Sequence, residues 1–169
     1  MRLREAVPSD SESVRGVHFE SITELGLDGY TQDQVNAWAQ GCKSASYATA
    51  IESDDFYYIV AEDDRGVVGF GSLKFDASGT YEVPIDAEVT AVYVHPTVAR
   101  EGVGSTIYAE LERQAREHGV QMLGLTASLN SVPFYESQGY EMVREHAHEF
   151  SSHESTNVEG QVVEMVRRL

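Results

Sequence analysis

The six residues Arg100-Glu101-Gly102-Val103-Gly104-Ser105 join a β-branched apolar run to a helical repeat, and that position gives them a chemistry. A helix starting there presents backbone N–H groups without intrahelical acceptors at its positive dipole end, and glycines let an anion approach the backbone closely. An open loop of this kind binds phosphate; the plainer alternative is a helix-entry turn. Two familiar nucleotide readings fail on residue types. No Gly-Lys-Ser/Thr follows, as a P-loop requires, and position 107 is Ile where a dinucleotide-binding turn has a third glycine. Cys42 is the only cysteine, which excludes an internal disulfide and a cysteine-based zinc site. No partner in the sequence supports it as an acyl-carrying nucleophile, so it reads as a buried spectator. His146 and His148 share one strand face and, with His153, are residue types that ligate metals. Beside an acidic segment they read as solvated side chains, and no metal is expected.

These residues need elements to position them. At 169 residues the chain is expected to form one domain, 1–169. Leu3–Val7 reads as a short strand, broken by Pro8-Ser9-Asp10 before a helix carrying Val14, Val17, Ile22 and Leu25. Thr31-Gln32-Asp33-Gln34 has the form of a capping box ahead of a second helix. Phe56–Ala61 and Val67–Phe75 form a hairpin pattern, and Glu88–Val94 alternates Val89, Ala91 and Tyr93 against Glu88, Thr90, Val92 and Val94. Val103, Ile107, Leu111 and Ala115 recur at fours in the most regular helix, closed by Gly119 in the left-handed conformation. Then come a strand at Val120–Thr126, a short helix at Val132–Gln138 stopped by Gly139, and a β pair at Tyr140–Phe150 and Val158–Val166 around a loose segment, Ser151–Asn157. Glu88 to Thr126 thus makes a β-α-β unit, while the hairpins imply antiparallel neighbours. The expected fold is α/β: a mixed, mostly antiparallel sheet of about seven strands with about four helices on both faces.

The charge is unusual. Asp and Glu number 28 against 12 Lys and Arg, a net charge of −16, with Lys43 and Lys74 the only lysines. Nucleic-acid binding is excluded on this balance, because phosphate-backbone affinity comes from clustered cations, and anionic membranes are repelled. No run of about 18 apolar residues is present to span a bilayer, and the N-terminus lacks a signal-peptide apolar segment. A cytoplasmic protein is expected.

Taken together, Ala87-Glu88-Val89-Thr90-Ala91-Val92-Tyr93-Val94-His95-Pro96, the glycine turn and Ala127–Tyr140, which contains Asn130, Pro133-Phe134-Tyr135 and Gly139-Tyr140, resemble the GNAT superfamily of acetyl-CoA-dependent N-acetyltransferases. The resemblance is dense over Ala87–Val143 and looser elsewhere. It implies that Gly102 and Gly104 fall on the glycines of the family's Q/R-x-x-G-x-G/A turn, which holds the CoA pyrophosphate, with Arg100, Val103 and Ser105 around it. Ala99 departs from the usual Gln or Arg, leaving the backbone amides and Arg100 to supply the contact, and Glu101 is expected to point to solvent. Val92, Tyr93 and Val94 fall on the strand that pairs with the pantetheine arm, and Asn130 and Tyr135 match the Asn and Tyr of the last motif.

The implied reaction moves acetyl from acetyl-CoA to a primary amine within a ternary complex. A lysine-like amine has a pKa of about 10.4, so attack on a thioester needs a base or water chain; Glu88 is the candidate base. The departing thiolate, of pKa about 8.5, needs an acid, for which Tyr135 is the candidate, and a backbone N–H near Val92 is the candidate oxyanion donor. Trp38 and Tyr30 are candidates for the acceptor pocket, and the last strands for a homodimer contact. A non-catalytic acyl-CoA-binding module is the alternative. Because CoA is itself a polyanion, so acidic a surface is similar to that of halophilic proteins, which work under strong salt screening.

Overall fold

The computed structural model of the chain describes residues 1–76, 80–150 and 156–169. Its elements are β1 (Arg2–Glu5), α1 (Ser11–Leu25), α2 (Gln32–Ser44), α3 (Tyr47–Glu52), β2 (Phe56–Asp63), β3 (Gly66–Lys74), β4 (Ala87–Val94), α4 (Val103–Glu117), β5 (Met122–Ser128), α5 (Val132–Ser137), β6 (Glu141–Glu149) and β7 (Glu159–Arg168). The seven strands form a sheet of order β1-β2-β3-β4-β5-β7-β6. Only β4 and β5 run parallel; every other neighbouring pair is antiparallel. The helix between β4 and β5 makes that possible, since parallel neighbours need a crossover.

Helix boundaries follow their caps. At the start of α2 the Thr31 hydroxyl accepts from the Gln34 N–H at 3.3 Å, and the Gln34 side chain accepts from the Thr31 N–H at 2.9 Å, the reciprocal pair read from the sequence. At the end of α4, Gly119 has φ +75° and Val120 N–H reaches back to Ala115 O at 3.0 Å. Val120 therefore belongs to the helix end, and β5 starts and stops later than the apolar run 120–126 suggests. Among the described residues there are five α-helices, where about four were expected. The extra one, α3, is a six-residue turn anchored by buried Tyr47, too short to show a helical repeat.

The helices lie in two layers. Val103, Ile107, Leu111 and Ala115 of α4 are buried in the larger core cluster together with Tyr135 and Tyr140. Gly69 and Gly71 of β3 let α4 approach closely: a Cβ on Gly71 would stand 2.5 Å from Ile107. Phe70 between them turns the other way and packs with Val14 and Val17 of α1, as strand alternation requires. No helix among the described residues is long and apolar enough to cross a membrane.

The strict alternation expected along β4 is broken. Leu73 of β3 faces Val89 while Ser72 faces Ala91, so Thr90 is an extra residue, a β-bulge. Ala87, Val89, Val92 and Val94 consequently all pack toward the α4 layer, whereas Ala91 and Tyr93 pack toward α1.

Candidate active site

β4 and β5 are paired only at Ala87↔Leu123 and Glu88↔Gly124. Beyond those two positions they diverge, and the β5-facing backbone groups of Val89–Val94 have no strand partner. The opening is a slot of about 450 Å³ lined by Ser21, Ile22, Leu25, Asp28 and Trp38 from the α1–α2 layer and by Gly104, Phe134 and Tyr135 from the α4–α5 layer. Because residues of both layers line it, the slot spans the parted sheet. Val92, Tyr93 and Val94 form its β4 wall, and Thr126, Ala127 and Ser128 its β5 wall.

On the α4 side stands the glycine turn. Gly102 caps the helix with φ +85° and Arg100 also has a positive φ, +65°, so the chain curls and presents the first amides of α4 outward. A Cβ on Gly104 would lie 3.5 Å from Phe134 and 3.8 Å from Val94, both wall residues. Glycine here therefore keeps the wall open rather than avoiding a clash. Ala99, Arg100 and Gly104 line the slot. Val103 contributes only its amide, since its side chain is buried in the core. Glu101 is exposed and outside the slot, as expected, and the Ser105 hydroxyl accepts from the Gln138 amide at 3.5 Å. Arg2, Arg4, Arg65, Arg113 and Arg167 are each ion-paired, whereas Arg100 has no carboxylate partner among the described residues.

Tyr135 projects from α5 into the wall at 7% exposure, with Tyr108, Phe134 and Tyr140 rings packed edge-on around it. Burial, with Tyr93 and Tyr108 adding to it, pushes its phenol well above the usual value, so it stays protonated. Asn130, at the turn after β5, donates from its side-chain amide to Leu25 O at 3.3 Å while its buried carbonyl oxygen has no partner. Such an orphaned acceptor in a slot wall suits an amide N–H of an elongated ligand.

Glu88 is not a wall residue. It sits at the last paired position before the strands part, and its carboxylate accepts from the Tyr81 hydroxyl at 2.7 Å. Trp38 does reach the slot, but Tyr30 does not. Tyr30 is a buried strut, its hydroxyl donating to Gln161 O at 2.6 Å and accepting from Leu129 N–H at 3.0 Å. Tyr81, Thr126 and Asp28 were not singled out from the sequence, and no motif marks them there.

The remaining candidates lie elsewhere. Cys42 is buried, and desolvation raises its thiol pKa, which suppresses nucleophilicity. Among the described residues no group of three His, Cys, Asp or Glu side chains is placed to hold a metal; His153 lies outside them, as does most of the segment 151–157.

Solved structures of N-acetyltransferases share this fold. The GCN5-related N-acetyltransferase of Rhodopseudomonas palustris superposes with a TM-score of 0.81 at 24% identity, covering 99% of this chain and 95% of that one. The PaiA N-acetyltransferase of Thermoplasma acidophilum, solved with coenzyme A, gives 0.75 at 20% identity, covering 99% and 98%. This chain belongs to the acetyltransferase (GNAT) domain family, whose model it matches over residues 27–155. It is also 24% identical over 145 residues to an uncharacterized N-acetyltransferase, YafP, of Escherichia coli strain K12, covering 86% of this chain and 84% of that protein.

Proposed function

We propose that this protein transfers acetyl from acetyl-CoA directly to a primary amine, both substrates being held in the slot together. The observation that carries this reading is the slot itself: lined from both helix layers, with Tyr135 in its wall and the glycine turn at its α4 side.

The residues present fit coenzyme A. The amides at the start of α4, the open surface at Gly104 and the unpaired Arg100 suit its pyrophosphate. The unpartnered backbone of Val92–Val94 and the orphaned Asn130 carbonyl suit the amide-bearing arm. When bound, acetyl-CoA supplies the thioester as acyl donor. Tyr135 holds a proton in a water-poor wall where the thiolate leaves, the Val92 region offers a backbone N–H to the developing oxyanion, and Glu88 receives the amine proton. The amine enters from the α1–α2 side, past Ser21, Asp28 and Trp38.

Thiol release from acetyl-CoA should be followed over spermidine, a tripeptide with a free N-terminus, Nα-acetyl-lysine amide and kanamycin. Amine-dependent release with at least one of them is the expected result.

A further inference from the structure

Among the described residues the slot is lined by two charged side chains, on opposite sides of the sheet. Arg100 belongs to the glycine turn on the α4 side and Asp28 to the α1–α2 side; no other Asp or Glu, and no Lys or His, lines it. Asp28 is exposed, so its carboxylate stands where the slot meets solvent, and it has no hydrogen-bond or ion-pair partner among the described residues. An exposed carboxylate is ordinary; the way this one is held, and what stands beside it, are not.

Asp28 ends a short turn, Gly26–Asp28, that follows α1 and is wedged between two other parts of the slot wall. A Cβ on Gly26 would stand 3.2 Å from Val35 and 3.3 Å from the Trp38 ring, and one on Gly29 would stand 2.9 Å from Asn130 N. The Gly29 and Tyr30 N–H groups close the turn on Gly26 O at 3.1 and 3.0 Å, and the Asn130 side-chain amide holds the preceding carbonyl, Leu25 O, at 3.3 Å. Glycines on both sides of Asp28 therefore let the turn lie against the indole on one flank and the Asn130 turn on the other. Trp38 is itself fixed, stacked on Phe150 with ring centroids 5.8 Å apart and edge-on to Tyr30 at 5.7 Å. An indole and an unpaired carboxylate in one slot wall receive a cation: Trp is the best cation–π partner among side chains, and a carboxylate hydrogen-bonds an ammonium directly.

We infer that Asp28 and Trp38 select an acceptor with a second cationic group, a small aliphatic diamine whose far ammonium rests on this pair while its near amine reaches the thioester. This rests on the acetyl-transfer reading above and names the acceptor's class. The far nitrogen is the one that meets Asp28, because a carboxylate beside the reacting nitrogen would favour its charged form, which does not attack. With no cation on the α1–α2 side, a carboxylate or phosphate on the acceptor would lie unpaired next to Asp28, which selects against amino acids and phosphorylated amines. The 450 Å³ of the slot also has to take the acyl end of CoA, which keeps the acceptor small.

The test uses the full chain with acetyl-CoA and three acceptors of matched length, cadaverine, pentylamine and δ-aminovalerate, whose far ends are an ammonium, a methyl and a carboxylate. Hexamethylenediamine and hexylamine repeat the comparison in a longer chain. For a diamine kcat/KM should exceed that of its monoamine by about tenfold or more, chiefly through KM, and δ-aminovalerate should be the poorest of the set. Asp28→Asn should bring the diamine-to-monoamine ratio to within about twofold of unity, and Asp28→Glu should keep the preference. Trp38 is the only tryptophan of the chain, so its fluorescence reads the pair without turnover. With CoA present, cadaverine should change the emission saturably, and Asp28→Asn should need about tenfold more of it. Equal kcat/KM for diamine and monoamine, or an unaltered ratio in Asp28→Asn, overturns the inference and leaves acetyl transfer standing. If no amine is acetylated but cadaverine perturbs Trp38 in an Asp28-dependent way, acetyl transfer falls and the pair stands as a dication site. Neither turnover nor perturbation overturns both.

Discussion

Glu88 of β4 faces Gly124 of β5 at the last position where the two strands are paired. Two residues further on, the bulge at Thr90 turns the strand, and from there the backbone of Val92–Val94 is free on its β5 side. The closed and open parts of the parallel pair thus meet at one residue couple, and the chemistry of the slot is arranged outward from it: a carboxylate bonded to the Tyr81 hydroxyl at the apex, a phenol in the wall, an anion-receptive turn on the α4 side.

Tyr135→Phe should lower kcat by about 100-fold or more while leaving CoA affinity within a few-fold, because it removes only a proton donor. Stopped-flow thiol release together with calorimetric CoA titration measures both. An unchanged kcat would remove Tyr135 from the chemistry.

Gly104→Ala should fold as well as the natural chain, since its Cβ meets only ordinary contacts at Phe134 and Val94, and alanine favours helix over glycine by up to about 1 kcal/mol. The added methyl occupies the wall where phosphate must approach, so CoA affinity should drop by about tenfold, or roughly 1.4 kcal/mol. Equal affinity in the variant would move the pyrophosphate elsewhere.

Acid should destabilise the fold through His18. The ring is enclosed by Tyr47, Phe70 and Tyr93, and desolvation lowers its pKa from 6.5 to about 4. Between those values the unfolded chain binds a proton that the folded chain refuses, so this contribution is complete above pH 6.5 and shrinks as the pH falls toward 4. It amounts to as much as about 3 kcal/mol. Urea unfolding at several pH values should show the slope, and His18→Phe should flatten it. An identical slope in the variant would assign the acid lability to other groups.

Gly71→Ala should destabilise by about 1–3 kcal/mol, as overpacking does, because its Cβ would meet Ile107 at 2.5 Å and Leu111 at 3.1 Å. A melting temperature equal to the natural protein's would show that α4 can move away from β3.

The acidic surface carries a further expectation. We propose that the charge of −16 is an adaptation to salt, so fold stability and CoA affinity should hold or rise from low to molar KCl, where the Debye length is about 3 Å. Unfolding or loss of CoA on adding KCl would contradict that.

Much of the fold was legible because its signals are local. The capping box at Thr31, the repeat at fours from Val103 to Ala115, the left-handed Gly119 and the helix stop at Gly139 are dictated by neighbours in the chain, and each stands where the sequence placed it. The short α3 and the Thr90 bulge were not legible, because one is held by tertiary burial of Tyr47 and the other exists only as a mismatch between two strands. The same divide runs through the site. The glycine turn, Asn130 and Tyr135 belong to contiguous motifs. Tyr81, in the segment between β3 and β4, meets Glu88 only once the sheet has formed, and Tyr30, an aromatic of the right kind for a pocket, is used instead to tie Leu129 to Gln161.

The central claim is amine acetylation, and the most direct measurement is thiol release from acetyl-CoA with and without each amine, paired with mass detection of the acetylated amine. The account predicts release that depends on the amine and yields an acetylated product with one acetyl group gained for each thiol released. Tight CoA binding with no amine-dependent release across the panel would contradict it and leave the chain as a non-catalytic acyl-CoA-binding module.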